Sequence, residues 1–243
     1  MIIGICDYGI GGISLYKQLR AFSSVDIVYF SDTGVPPYGK LPDSELRPRV
    51  AKVVQFLFDQ GCEFVAIACN AASTASPERP KVINMIEFGV KAVEAVSPKS
   101  LGIVGGYRTV ESEIYKQPLS AKVPVINQEV GQALSVRIEA GDLVSEGMTA
   151  DLKRIFEPLK NCEAILLACT HYPVLEDQIT KVIPNVKLID PMNLMVKTIS
   201  GKHPHLRGDG STRWITSGSI EKMRVAAKKA FDVELETIEY LEL

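Results

Sequence analysis

The chain has 243 residues, 46% hydrophobic and 23% charged, with a formal net charge of −2. That balance buries a core and excludes a disordered chain, and the slight acidity leaves no electrostatic footprint for nucleic acid or a membrane surface. No apolar run approaches the roughly 20 residues of a membrane span.

Five cysteines without a CxxC pair fit a reduced protein with no structural zinc. Met1 leads straight into an apolar segment without a basic leader, so a cytoplasmic location is expected.

In chain order, Ile2 to Cys6 reads as a buried strand, followed by the glycine-rich turn Asp7-Tyr8-Gly9-Ile10-Gly11-Gly12 and a short helix to Arg20. Val25 to Phe30 is a second strand, ending in the loop Ser31 to Gly39, where proline and glycine dominate. Asp43 or Ser44 caps a helix whose apolar positions run from Leu46 to Phe58, and Gly61 ends it. A strand into Cys69, a strand to Ile86 and a helix from Phe88 to Val96 complete the first half.

Ser97 to Ser100 reads as a crossing into a second half. There the pattern predicts a strand around Gly102, a helix near Val110 to Tyr115 and a strand from Val123 to Ile126. Helices follow near Glu129 to Gly141 and Thr149 to Leu159, then a strand into Cys169 and a further helix and strand. A polar connection from Gly201 to Ser211 leads to a strand at Trp214 to Thr216, a helix capped by Ser219, and a tail strand beyond Val233.

The chain repeats itself. Phe64-Val65-Ala66-Ile67-Ala68-Cys69-Asn70 recurs one hundred residues later as Ala164-Ile165-Leu166-Leu167-Ala168-Cys169-Thr170. Each copy runs apolar residues into Ala-Cys and then turns polar, as a strand buried on both faces does where a parallel sheet ends. Ile3 to Asp7 resembles Leu101 to Gly105, and Val82 to Glu87 resembles Val186 to Asp190. The repeat predicts an α/β fold of two similar lobes related by internal pseudo-symmetry, each a mainly parallel sheet flanked by helices. The expected division is 1–97 plus 206–243, with the tail returning to the first lobe, and 98–205. Ligands gather beyond the carboxyl ends of such strands, so two thiols at matching ends can face one cleft.

Other motifs carry less. Gly9-x-Gly11 with Asp32 about 20 residues on suggests a dinucleotide turn, yet the third glycine position is Ser14. His203 and His205 flank Pro204 in a connection, and Arg207-Gly208-Asp209 reads as a turn. His171 is different, because two residues past Cys169 it can hydrogen-bond a thiolate or pass a proton. A thiolate that removes a proton from carbon and a thiol that returns one from the opposite face invert a stereocentre without a cofactor.

Asp7-x-Gly9-x-Gly11-Gly12, Asp32-Thr33, Pro37-Tyr38-Gly39, Ala68-Cys69-Asn70-x-Ala72-Ser73, Ile86-Glu87 and Cys169-Thr170-His171-Tyr172-Pro173 resemble, in order, the blocks of the aspartate/glutamate racemase superfamily, its glutamate-specific branch most closely. The resemblance implies two lobes closing on a small acidic amino acid, racemisation without pyridoxal phosphate or a metal, and a homodimer. It implies Cys69 and Cys169 as acid and base, with Asp7, His171 and Glu129 assisting. Substrate contacts are implied for Tyr8, Pro37, Tyr38, Gly39, Asn70, Ala71, Thr109 and Thr170.

Several positions depart from the resemblance, Gly34-Val35 among them, where Ala-Arg is common. Tyr8 stands where serine is usual, and Ala71 and Gly106 stand where threonine is usual, so Tyr8 is expected to re-shape the pocket and alter specificity. Glutamate is the first expected substrate, its product serving peptidoglycan. Aspartate, a malonate-like decarboxylation and a non-catalytic binding role are the alternatives.

Overall fold

A computed structural model describes residues 1–202 and 208–243. His203, His205 and Arg207 of the polar connection, and the expected division near residue 206, lie outside the described residues.

The first half alternates strand and helix: β1 (Ile2–Asp7), α1 (Ile13–Phe22), β2 (Asp26–Ser31), α2 (Asp43–Asp59), β3 (Phe64–Ile67), α3 (Asn70–Ser73), β4 (Val82–Asn84) and α4 (Met85–Val96). The second does the same with β5 (Ser100–Gly105), α5 (Tyr107–Glu111), α6 (Lys116–Leu119), β6 (Val125–Val130), α7 (Gln132–Glu139), α8 (Glu146–Phe156), β7 (Ala164–Ala168), α9 (Glu176–Val182), β8 (Lys187–Ile189) and α10 (Pro191–Lys202). Then come β9 (Thr212–Thr216), α11 (Ile220–Phe231) and β10 (Ile238–Tyr240).

Two parallel sheets result, one ordered β10-β9-β2-β1-β3-β4 and the other β6-β5-β7-β8. Within them β2-β1-β3-β4 and β6-β5-β7-β8 follow the same order, so the sequence repeat is a repeat of sheet topology. β3 and β7 occupy equivalent places, each beside the central strand of its sheet, and each leads directly into a cysteine. The tail strands extend the first sheet beyond β2.

Burial follows the apolar runs. β7 is buried at every position, and β1 from Ile3 onward, as strands covered on both faces by helices must be. Helix α10 returns the chain to the first half and packs against α1 and α4. One buried cluster runs from Ile3 and Ile5 through Met192, Met195 and Ile199 of α10 to Ile165 and Leu167 of the second sheet. The two sheets therefore share a core behind the cleft.

Several boundaries move for local reasons. Asn84 accepts the N–H groups of Ile86 and Glu87 and starts α4 at Met85, so the strand expected to reach Ile86 stops at Asn84. Glu129 is the larger correction. β6 continues through Val130, with Glu129 paired to Val104, and the helix begins only after Gly131. Glu129 is a strand residue, not a helical one.

Candidate active site

The carboxyl ends of β1, β3, β5 and β7 converge on one cavity of about 270 Å³. Every residue named from sequence as a site residue lines it except Glu129. β6 carries Glu129 outside that lining, and the glutamate that reaches the site is Glu139, at the end of α7.

Asp7 ends β1 and is 2% exposed. Its Oδ1 accepts the Gly9 N–H at 3.1 Å, and its Oδ2 accepts the Thr170 hydroxyl from the second lobe at 3.0 Å. Burial raises its pKa, with His171 and those hydrogen bonds opposing the rise.

Cys69 follows β3 and caps α3, its Sγ accepting the Ala72 N–H at 3.5 Å. Burial pushes this thiol well up, the nearby Asp7 charge adds to the rise, and the Ala72 and Tyr8 N–H groups oppose it. The next residue, Asn70, accepts the Tyr115 hydroxyl at 2.5 Å, so the second lobe holds the wall beside Cys69.

Cys169 has different company. Its Sγ lies 3.6 Å from His171 Nδ1, and His171 Nε2 lies 2.6 Å from Glu139 Oε1. Burial alone would lower the imidazole pKa, but the Cys169 and Glu139 contacts outweigh it and hold the ring well above the ordinary histidine value. A protonated ring donates to both neighbours at once. Cys69 thus sits among groups that keep it a thiol, while Cys169 faces an imidazolium.

Glu139 also ties the lobes together. Its Oε1 accepts the Ile10 N–H at 2.8 Å, and a Cβ on Gly9 would fall 1.8 Å from that same oxygen. The glycine turn therefore makes room for the close approach of a carboxylate from the other lobe.

Tyr8, Ala71 and Gly106 line the same cavity, which is the condition the expected re-shaping requires. The Tyr8 ring tilts against Tyr38 at 5.2 Å between centroids, and its hydroxyl donates to the Val35 carbonyl at 3.1 Å. That hydroxyl is engaged by the protein. Beneath Tyr38, the buried Asp32 accepts the Tyr38 hydroxyl, the Arg49 guanidinium and the Ser217 hydroxyl.

The polar lining residues Glu139, Arg108, Gln132 and Ser135 were not anticipated. Arg108 of α5 reaches into the first lobe, donating to Thr74 Oγ1 at 2.5 Å, to the Leu41 carbonyl at 3.0 Å and to Asp43. It braces two segments that wall the cavity, the one after α3 and the one after Gly39. Among the described residues no cluster of three or more His, Cys, Asp or Glu side chains could hold a metal ion, and no helix is long and apolar enough to cross a membrane.

Comparison with known proteins agrees with this geometry. The chain is 33% identical over 203 residues to Glutamate racemase 3 of Caldanaerobacter subterraneus, covering 78% of this chain and 73% of the relative. It is 28% identical to the glutamate racemase of Persephonella marina, covering 98% and 97%. The crystal structure of glutamate racemase from Thermus thermophilus in complex with β-chloro-D-alanine superposes with a TM-score of 0.87 at 27% identity, covering 99% of this chain and 96% of that one. The enzyme from Francisella tularensis in complex with D-glutamate gives 0.85 at 26%, covering 99% and 97%. The pattern of the Asp/Glu/Hydantoin racemase family spans residues 14–199, and with two thiols at equivalent strand ends lining one cleft, the chain belongs to that family.

Proposed function

We propose that this protein interconverts L- and D-glutamate, using Cys69 and Cys169 as the two proton-transfer groups. The observation that carries the reading is that both thiols line one cavity from equivalent strand ends, with unlike electrostatic partners. In one direction Cys169, as the thiolate facing imidazolium His171, removes the α-proton. The planar carbanion takes a proton from the Cys69 thiol on its other face, and the centre inverts. The product state then holds thiol at Cys169 and thiolate at Cys69, set for the reverse reaction until solvent exchange resets it.

Asp7 is positioned to help move the proton at Cys69, and His171 at Cys169, with Glu139 holding the ring. Asn70, the first residue past Cys69, supplies its side-chain NH₂ as a donor for the substrate's α-substituents, while the Thr170 hydroxyl past Cys169 is given to Asp7 and holds that carboxylate in place. No pyridoxal phosphate, nicotinamide or metal is part of this scheme. Relatives named as glutamate racemases support glutamate over aspartate. The D-glutamate formed would serve peptidoglycan synthesis in the cytoplasm, and the enzyme would act as a homodimer.

The test is to follow the circular dichroism of L-glutamate and L-aspartate with enzyme dialysed against EDTA and hydroxylamine. Racemisation of glutamate, undiminished by the dialysis, is expected. An absence of turnover, or its loss on dialysis, would overturn the reading.

A further inference from the structure

Gly106 and Gln132 share one volume. A Cβ on Gly106 would lie 2.9 Å from Gln132 Oε1, closer than side-chain atoms pack, and a Cβ on Gly39 would lie 3.7 Å from the same oxygen. The Gln132 carboxamide thus stands where a side chain at 106 would project, against the turn that carries Gly39. Both Gln132 and Ser135 line the cavity of the two cysteines.

The carboxamide is seated by its own helix. Nε2 donates to Ser135 Oγ at 2.9 Å, and Ser135 Oγ donates to the Gln132 backbone carbonyl at 2.9 Å. Ser135 is buried. A serine hydroxyl is both donor and acceptor, so this pair has two seatings. In one, Ser135 accepts from Nε2 and Oε1 faces Gly106. In the other, the amide is turned over, Ser135 donates to Oε1, and the NH₂ group faces the cavity.

We infer that Gln132 is the specificity-determining residue of this site and binds the side-chain carboxylate of the substrate through Nε2, with Ser135 reversing its hydrogen bond to allow it. The α-carbon has to lie between the two thiols. Gln132 lies against the Gly39 turn, which belongs to neither cysteine's strand nor the turn after it, so it meets the far end of the substrate. Arg108 is held toward the first lobe by a hydrogen bond from each of its nitrogens, whereas the Gln132 carboxamide can turn over in place and present its NH₂ group. The inference rests on the racemase reading and names the group that reads its substrate.

The experiment compares the native protein with Gln132→Ala, Gln132→Glu, Gly106→Thr and the double change Gln132→Ala with Gly106→Thr, using L-glutamate. Losing a hydrogen bond to a carboxylate is expected to raise KM roughly ten- to a hundredfold in Gln132→Ala, with kcat within a few-fold of native. Gln132→Glu should be worse, since it sets like charges together. Gly106→Thr alone should displace the amide and raise KM, yet add little in the Gln132→Ala background, where the space is free. An unchanged KM in Gln132→Ala, or fully additive effects of the two positions, would overturn the inference. Calorimetric binding of L-glutamate in the Cys69→Ala background separates this from the racemase reading. Binding weakened by Gln132→Ala there supports the carboxylate contact even if the native protein does not turn glutamate over, and binding unaffected by it counts against the contact.

Discussion

Glu139 Oε1 lies 2.6 Å from His171 Nε2 while accepting the Ile10 N–H at 2.8 Å, so one carboxylate oxygen both charges the ring behind Cys169 and grips the glycine turn of the opposite lobe. Glu139→Gln keeps the shape and removes the charge. His171 then titrates lower, and kcat is expected to fall roughly ten- to a hundredfold, the worth of a charged hydrogen bond. The alkaline limb of the kcat–pH profile should move to lower pH. For stability the sign is fixed by the raised histidine value. The pair stabilises the fold fully below the ordinary histidine range, and that contribution is lost as pH climbs through the raised folded value. Thermal unfolding of native and Glu139→Gln protein should therefore differ most at low pH and converge at high pH.

The two thiols should be chemically distinguishable. Cys169 is the more exposed and faces an imidazolium, while burial holds Cys69 as a thiol. Iodoacetamide near neutral pH should label Cys169 before Cys69, which is buried and held in the unreactive thiol form, and mass spectrometry of peptides at partial inactivation checks this. Cys69→Ala and Cys169→Ala should each abolish racemisation. Full activity in either single variant would rule out a two-thiol mechanism.

Arg108 braces the cavity mouth from the second lobe. Arg108→Ala should raise KM for glutamate several-fold through loosening of the Leu41 and Thr74 segments. Arg108→Lys, a point charge without the planar fork, should recover only part of the loss. Equal kinetics in all three proteins would show that the brace does not matter.

Tyr8 should act by bulk and not by its hydroxyl, which is bonded to Val35. Tyr8→Phe is expected to keep glutamate kinetics near native while costing about 1 kcal/mol of stability. Tyr8→Ser, opening the cavity, should change the ratio of glutamate to aspartate turnover. If Tyr8→Phe alone shifts that ratio, the hydroxyl matters after all.

Asp190, at the start of α10, accepts the Met192 N–H at 2.9 Å, yet burial pushes its pKa up to about 6. Between the ordinary aspartate value near 4 and about 6, the native state holds a proton that the unfolded chain releases, so stability declines as pH rises through that window. Asp190→Asn preserves the acceptor without the charge. Its melting temperature should exceed native at pH 7 and match it near pH 4.

What the sequence disclosed and what it withheld have a common cause. Cys69 and Cys169 were legible because a buried parallel strand writes itself as a continuous apolar run, and two such runs ended on the same residue. The lobe order was legible because β1 to β4 and β5 to β8 repeat that grammar. Glu139 was not, because it meets His171 across 32 residues from the end of an amphipathic helix, and no local pattern marks which surface glutamate of a helix points inward. Glu129 was singled out by family resemblance alone, but it lies within β6, and Gly131 marks where that strand stops and α7 begins. Gln132 and Arg108 act through space shared with Gly106 and across the lobe boundary, relations that spacing along a chain does not encode.

The sheet order also sets a timetable for folding. All four strands of the second sheet lie between Ser100 and Ile189, so that sheet is complete while the first still lacks β9 and β10. Until β9 arrives, β2, whose sequence Asp26–Ser31 is buried from Ile27 onward in the finished protein, is an uncovered apolar edge. Such an edge invites pairing between chains. A nascent chain stalled before Thr212 should thus carry a finished second sheet and an adhesive first one, and chains halted there should aggregate through β2, whereas those released after Tyr240 should not.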